Sequence, residues 1–242
     1  MPTVIDMHVK ATWDIEPKTD FLHGLACALF EGDGADHSGQ DKPFTAWPLR
    51  PETGGSADEW VWRTAWLPDD SPPPGALTAD QLRVGHVTCA VTESTHRRVG
   101  HARMAAGAGI TSVTVTFHSP TCFSHNGSTM VTPDPRRIIS SWQRNWNASL
   151  SGAGPLVVDE DTWRTIIRSI YLAEFDLHTE FRDSGYGHDR AGFTGSAVLR
   201  LDRSAPASAS AILGALARFA EYCGTGAQTT HGFGATTVAL EG

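Results

Sequence analysis

The sequence lacks the signals that mark membrane and secreted proteins. None of its apolar runs approaches the roughly 18 residues needed to cross a bilayer. The N-terminus, MPTVIDMHVKATWD, has no basic stretch followed by an apolar one, which is the pattern of a secretory signal. We therefore expect a cytoplasmic protein that does not contact a membrane.

Patterns typical of metal, disulfide and nucleotide sites are also absent. The four cysteines, Cys27, Cys89, Cys122 and Cys223, are far apart and form no CxxC pair, which argues against a zinc ribbon or a disulfide framework. The chain has no P-loop, no nucleophile elbow and no clustered metal-ligand spacing. We expect reduced and mostly buried cysteines, no metal and no cofactor.

Lysine is scarce, and acidic residues are scarce in the centre of the chain. Only three of the 19 basic residues are lysines, and the net charge is −8. Residues 1–93 carry 6 basic against 15 acidic residues, a net charge of −9, and residues 145–242 carry 7 against 11, a net charge of −4. Residues 94–144 carry 6 arginines against one acid, a net charge of +5. Base composition alone can raise the arginine content, but clustered arginines favour contact with phosphates.

Apolar periodicity indicates secondary structure in the first half of the chain. The 242 residues, 40% of them hydrophobic, suffice for one large domain or two ordinary ones. The pattern predicts a strand over 3–12, a helix capped at Thr19 or Asp20 and ended by Gly32, and strands over 44–50, 59–67 and 82–93. Residues 96–109, HRRVGHARMAAGAG, are interpreted as a basic loop that contains a domain boundary near Gly107.

The second half repeats this order of elements. It predicts a strand over 111–117, an amphipathic helix over 134–147, strands over 171–181 and 192–201, a helix over 208–223 and a closing strand over 233–240. Strand, helix, strand, strand, helix, strand is the ferredoxin-like plan, and the first half has at most a weak second helix. We predict an α+β fold of two tandem ferredoxin-like (RRM-like) βαββαβ domains, residues 1–107 and 108–242.

Three stretches together resemble a known family. They are AEYCGTGAQTTHGFGATTV near the C-terminus, TFHSPTCFSHNG followed by PDPRRIISSWQRNWN, and FLHGLACALFEGDGADHSGQDKPFTAWPL near the N-terminus. Together, and in the order in which they occur along the chain, they resemble the CRISPR-associated protein six family of the RAMP superfamily. Members of this family cut precursor CRISPR RNA. The resemblance implies a metal-independent endoribonuclease that acts on repeat RNA by 2′-OH attack. It also implies 2′,3′-cyclic phosphate and 5′-OH ends, a retained guide RNA, and a place beside other effector-complex subunits.

The resemblance also indicates which residues take part in catalysis. The family places a catalytic histidine in the segment after the first helix, which here is His37 in GDGADHSGQ. A histidine can act as a base or an acid near neutral pH, which makes His37 the first catalytic candidate; the alternative is an exposed loop histidine without a role. His23 on the helix is a second proton-transfer candidate or a packed helix histidine, and Lys42 is a cation for the phosphate or a solvated lysine. Some family members carry a tyrosine at the position of Cys27, which leaves the second proton-transfer residue unassigned.

A second group of residues is predicted to bind RNA. Arginines supply phosphate contacts that position RNA, and the glycine-rich loop offers backbone N–H groups and short polar side chains. The alternative for each arginine is a solvated surface position. The predicted set is Arg97, Arg98, Arg103, Arg136, Arg137, Arg190, Gly224, Gly226, Gln228, Thr229, Thr230, His231, Gly232 and Gly234, with His96, His101 and His188 nearby. Tryptophans could stack on RNA bases, but five of them lie at strand or helix periods and are predicted to pack in the core or between the domains: Trp60, Trp62, Trp66, Trp142 and Trp146.

Two other functions remain compatible with the sequence. The first is a non-catalytic RNA-binding subunit of the same superfamily, which would share the fold and the glycine-rich loop but would not need His37. The second is an unrelated acidic metabolic enzyme on a ferredoxin-like scaffold. Cleavage of a repeat RNA in EDTA, compared between the wild type and His37→Ala, separates the first from an endoribonuclease.

Overall fold

The computed structural model describes residues 1–12, 15, 18–31, 42–73, 75–152, 154–156, 158–183 and 189–241. Twelve strands and five helices are assigned in these ranges. The strands are β1 (Thr3–Ala11), β2 (Phe44–Ala46), β3 (Arg50–Pro51), β4 (Glu59–Trp66), β5 (Gln81–Val84), β6 (Val87–Arg98), β7 (Ser112–Thr121), β8 (Phe123–His125), β9 (Ser128–Met130), β10 (Ile170–Asp183), β11 (Asp189–Leu201) and β12 (Thr236–Glu241). The helices are α1 (Thr19–Phe30), α2 (His101–Ala105), α3 (Pro135–Ala148), α4 (Glu160–Arg168) and α5 (Ala209–Cys223), and a 3-10 turn spans Thr229–His231.

The first sheet has β1 at its centre. Its order is β2-β4-β1-β6-β5, with β3 paired to β4, and the pairs are antiparallel. Ile5, Met7 and Val9 alternate along β1 and are almost completely buried, as expected for one face of a strand. They share a core with the apolar side of α1, including Leu22 and Leu25. This packing fixes which face of α1 is turned away from the sheet.

The second sheet follows the same plan. Its order is β10-β11-β7-β12, again antiparallel. Val113, Val115 and Phe117 of β7 pack in a core with α3 and α5. Trp142 and Trp146 of α3 are fully buried there. In both sheets the strands lie in the spatial order of a ferredoxin-like fold, which confirms the predicted α+β class.

The five tryptophans that were predicted to be packed are buried or partly buried. Trp62, Trp142 and Trp146 have no exposed surface, and Trp66 is 7% exposed. Trp60 is only partly buried but packs against the first core. These rings therefore contribute buried apolar surface to the two hydrophobic cores.

Three local predictions were wrong. Residues 82–93 form a hairpin of β5 and β6, because Gly85 takes a positive φ of 59° and turns the chain. Residues 96–109 are not a loop, since β6 continues to Arg98 and α2 follows. Helix α4 was not predicted, although Asp159 caps it by accepting a hydrogen bond from the Thr162 N–H.

The first helix begins differently from the prediction. Lys18 is its N-cap, with no side-chain capping bond. The Thr19 hydroxyl, one of the two predicted caps, instead donates to the Asp183 carbonyl at 2.7 Å. This contact joins the start of α1 to the end of β10, in the other half of the chain.

The predicted boundary at residues 107 and 108 lies between α2 and β7 and stays a prediction. The core of the second half also includes Val4, Ala65, Leu67 and Met104 from the first half. The Thr45 hydroxyl of β2 further donates to the Tyr222 carbonyl of α5 at 2.7 Å. The two halves therefore share a packed interface that positions the site described below.

Candidate active site between the two halves

The glycine-rich loop after α5 is held by hydrogen bonds within the protein. A Cβ atom at Gly226 would collide with the Cys122 carbonyl, and one at Gly234 with the Thr225 carbonyl; both glycines also have positive φ. The Gly226 N–H donates to Ser141 Oγ at 3.2 Å, and the Gly234 N–H donates to the Pro120 carbonyl at 3.1 Å. The glycines allow close packing of backbone on backbone.

This finding corrects one expectation about the loop. The Gly224 N–H also has a protein acceptor, the Ala220 carbonyl at 2.8 Å. The N–H groups of Gly224, Gly226 and Gly234 are thus already used, and a contact of these residues with RNA would need other atoms. Gly232 differs, because a Cβ there would have its nearest neighbours at 3.6 Å. Its φ of 82° is what requires glycine.

The loop brings two histidines together. His23 of α1 and His231 of the 3-10 turn stack with ring centroids 3.8 Å apart and an interplanar angle of 8°. The His23 Nδ1–H donates to the Thr230 carbonyl at 3.3 Å, and His23 Nε2 lies 3.6 Å from Cys27 Sγ. His231 Nδ1 lies 2.9 Å from the Thr230 hydroxyl. Both rings are therefore oriented by neighbours, as the groups of a reaction centre must be.

The His231 imidazole is held in its neutral form. Its pKa is lowered to about 4, first because burial disfavours the charged ring and then because His23 and Arg190 contribute positive charge. Two stacked imidazolium rings would also repel each other. At neutral pH His231 can accept or share a proton, but it does not supply a positive charge.

One face of α1 continues the site from His23 towards residues 32–41. His23, Cys27 and Glu31 are spaced by four residues and so lie along one side of the helix. Burial raises the pKa of the Cys27 thiol to about 11, and the Glu31 carboxylate adds to this effect. The thiol is thus protonated at neutral pH.

Lys42 forms an ion pair with Glu31. The two side chains are only 5% and 8% exposed. Their contact joins the residues that directly precede and follow the segment 32–41. His37, the first catalytic candidate, is in that segment and lies outside the described residues, as does His188.

Two arginines of the β10–β11 hairpin approach the histidine pair. Arg182 and Arg190 are directly opposite each other in the ladder, so their side chains leave the same face. Arg182 Nη1 lies 3.7 Å from the position that a Cβ of Gly232 would occupy. Burial lowers the pKa of His231, and the Arg190 charge adds to this effect. Burial raises the pKa of the Cys122 thiol, and the charge and hydrogen bond of Arg190 oppose that rise.

Arg182 was not among the predicted site residues. A signal was available, because a two-residue alternation along β10 places Arg182 and Glu180 on one face, and the pairing of β10 with β11 places Arg190 opposite Arg182. The relation of this face to α1 and to the glycine-rich loop depends on tertiary packing.

The other predicted RNA-binding arginines lie on different elements. Arg97 of β6 pairs with Glu221 of α5 at 2.8 Å and stacks over the Tyr222 ring, which links the two halves. Arg98, Arg103 and Arg136 are exposed, on β6, α2 and α3. Their contact with RNA stays a prediction, as does that of the exposed His96 and of Arg137, which lies 3.8 Å from the Asp134 carboxylate.

His101 does not belong to the basic surface. It has no exposed area, its Nε2 lies 2.7 Å from Ser149 Oγ, and its ring packs edge-on against Trp146. Burial lowers the pKa of His101. The residue supports the core of the second half, because the short α2 turns it inwards.

Two classes of feature are absent from the described part of the chain. No group of three or more His, Cys, Asp or Glu side chains there is arranged to hold a metal ion. No helix in the described ranges is long and apolar enough to cross a membrane.

A family model matches the part of the chain that includes the second-half residues of this site. The model is that of the CRISPR-associated endoribonuclease Cas6, and it matches residues 115–236, half of the sequence. The chain belongs to the Cas6 family. The match includes the hairpin arginines and the glycine-rich loop. The sequence matches none of the curated proteins.

Solved Cas6 structures share the fold over the whole chain. A Cas6 product complex is 23% identical, with a TM-score of 0.83, and the alignment covers 99% of this chain and 100% of that one. Thermus thermophilus Cas6 is 24% identical with a TM-score of 0.74, over 99% and 98% of the two chains. A Cas6-related protein from Pyrococcus furiosus is 11% identical with a TM-score of 0.59, over 100% of both. These likenesses establish the architecture.

Proposed function

We propose that this Cas6-family endoribonuclease cleaves precursor CRISPR RNA within its repeats without a metal ion. The 2′-hydroxyl oxygen attacks the adjacent phosphorus, the bond from phosphorus to the 5′ oxygen breaks, and a 2′,3′-cyclic phosphate and a 5′-OH form. One proton leaves the 2′-hydroxyl and one is added to the departing 5′ oxygen. Because the nucleophile belongs to the RNA, the protein has to supply only proton transfer and stabilisation of charge.

The arrangement around the segment 32–41 supports this function best. The Glu31–Lys42 pair joins both flanks of that segment at the C-terminal end of α1, about two helical turns from His23, which stacks on His231. In our proposal His37 transfers a proton, and His23 and the neutral His231 line the site as oriented rings. Lys42 acts mainly through its pairing with Glu31, since a buried carboxylate next to it offsets its charge.

The proposed RNA partner is the repeat, bound before and after cleavage. A Cas6 substrate-mimic complex and a Cas6 product complex have been solved for relatives of this fold, which supports binding at both stages. Arg97, Arg98, Arg103, Arg136 and Arg137 are proposed to hold the phosphate backbone outside the cleavage site. Association with other effector-complex subunits through the bound guide is part of the same proposal.

The deciding experiment compares cleavage of a repeat RNA in EDTA by the wild type and by His37→Ala. We expect cleavage by the wild type to persist in EDTA and to fall by about 10²–10⁴-fold in the variant, the usual contribution of a general acid or base. His125→Ala, which removes an exposed histidine on β8, is the matched control and should cleave normally.

Three outcomes would contradict parts of the proposal. Tight binding with no cleavage by the wild type would favour the non-catalytic RNA-binding subunit. Loss of cleavage in EDTA would exclude the metal-independent reaction. Normal cleavage by His37→Ala would move proton transfer to another residue.

A further inference from the structure

The Arg182 guanidinium is partly buried without a matching anion. It forms no ion pair and no side-chain hydrogen bond with any residue in the part of the chain that the structure describes. Burial lowers its pKa, and the only acid that acts on it is Glu180, two residues earlier on the same face of β10. A buried charge without a partner costs stability, so its retention indicates a ligand that is absent from the isolated chain.

The neighbour of Arg182 across the hairpin is a second cation. Arg190 lies directly opposite in the ladder, and it forms no ion pair with a described residue. Like charges directly opposite each other on antiparallel strands are unfavourable. The same hairpin carries a compensated arginine, since Arg200 at its other end bonds to Glu174 at 3.1 Å. Of the three arginines on this hairpin, Arg200 therefore has an acidic partner, whereas the two next to the histidine pair, Arg182 and Arg190, have none among the described residues.

The surroundings of the two arginines fit a phosphodiester. Arg182 Nη1 lies 3.7 Å from the position that a Cβ of Gly232 would occupy, next to His231, and the Arg190 charge reaches His231. Two guanidinium groups on one face can each donate to phosphate oxygens in a forked geometry. Neither His231, which is neutral, nor Lys42, which is paired with Glu31, brings an uncompensated positive charge to this place.

We propose that Arg182 and Arg190 form the anion site that binds the phosphodiester to be cleaved and stabilises the charge of its pentavalent transition state. This inference rests on the proposed endoribonuclease function for the identity of the anion. The site itself does not depend on that function, because the hairpin carries the uncompensated pair whether or not the chain cleaves RNA.

The experiment uses the full chain and two probes. The first is a repeat RNA, supplied intact and with a 2′-deoxy nucleotide at the cleavage position so that binding is measured without reaction. The second is inorganic phosphate, tested by its effect on the melting temperature against chloride at equal ionic strength. The variants are Arg182→Gln, the conservative Arg182→Lys, and Arg200→Gln as a control on the same hairpin.

We expect Arg182→Gln to cleave saturating RNA about 10²–10³-fold more slowly, the usual effect of removing one donor to a developing oxyanion. Its affinity for the 2′-deoxy RNA should fall by less. Arg182→Lys should recover part of the rate, and Arg200→Gln should behave as the wild type. Phosphate should stabilise the wild type more than Arg182→Gln, whose melting temperature in chloride should be equal or higher because a buried charge is gone.

Each remaining result decides against one claim. Wild-type cleavage rates in Arg182→Gln would overturn the inference, and so would slow cleavage with an unchanged phosphate effect, which would make Arg182 structural. A wild type that does not cleave RNA, but whose stabilisation by phosphate depends on Arg182, would refute the proposed function and keep the anion site.

Discussion

The buried pair of Glu31 and Lys42 gives the sharpest prediction for stability. The side chains are 5% and 8% exposed, so replacing Lys42 by Met leaves a carboxylate with little access to water beside the Cys27 thiol. Removing one partner of such a pair costs about 3–5 kcal/mol, out of a total stability of roughly 5–15 kcal/mol. The double variant Glu31→Leu/Lys42→Met removes both charges of the pair and should recover part of this loss.

Urea unfolding followed by tryptophan fluorescence measures these differences. The control is the exposed pair of Arg164 and Glu160 on α4, with side chains 57% and 70% exposed, where Arg164→Met should cost less than about 1 kcal/mol. Equal losses in the Lys42 and Arg164 single variants would refute the reasoning, and so would a double variant no more stable than Lys42→Met. If the pair also positions the segment that contains His37, the double variant should be stable yet cleave RNA more slowly.

Two further predictions concern the glycine-rich loop. Gly234→Ala should lower the free energy of unfolding by about 2 kcal/mol or more in urea, because its Cβ meets the Thr225 carbonyl at a positive φ, whereas Gly152→Ala has open space and should change it little. If Gly234→Ala proves as stable as Gly152→Ala, the close packing is not required. The pKa of His231 falls from 6.5 unfolded to about 4 folded. The unfolded chain therefore binds more protons between these values, and stability should be full above pH 6.5 and decline towards pH 4, by at most about 3 kcal/mol. His231→Phe should flatten this part of the stability curve relative to the wild type, and a parallel curve would contradict the assigned pKa.

Much of the fold was predictable because long periodic segments dominate it. Apolar residues alternate along β7, which indicates a strand, and recur at helical spacing along α3 and α5, which indicates helices. The errors occur where a single residue changes the chain direction or a pattern is short. Gly85 turns one predicted strand into a hairpin, and α2 has only five residues. Such features depend on tertiary contacts more than on local preference.

The site was predictable only in parts. The glycine-rich loop and the histidines could be identified from the sequence, and Arg190 was among the arginines predicted to bind RNA. The burial of His101 was not predictable, because it depends on contacts with Ser149 and Trp146, far along the chain. The pairing of Lys42 with Glu31 was not predictable either, because it depends on which face of α1 the Lys42 side chain meets. Arg182 was overlooked because its lack of a partner is a property of the folded neighbourhood.

The sequence by itself determined the order of the elements, the ferredoxin-like plan of both halves and the family resemblance, because alternation, helical spacing and motif order are local properties. Only the tertiary structure decided that His23 and His231 stack, that the N–H groups of three loop glycines are hydrogen-bonded within the protein, and that two hairpin arginines form no ion pair with a described residue. The physical reason is the same in each case. Burial and charge compensation are set by the neighbours that packing supplies, and for the histidine pair those neighbours come from opposite halves of the chain.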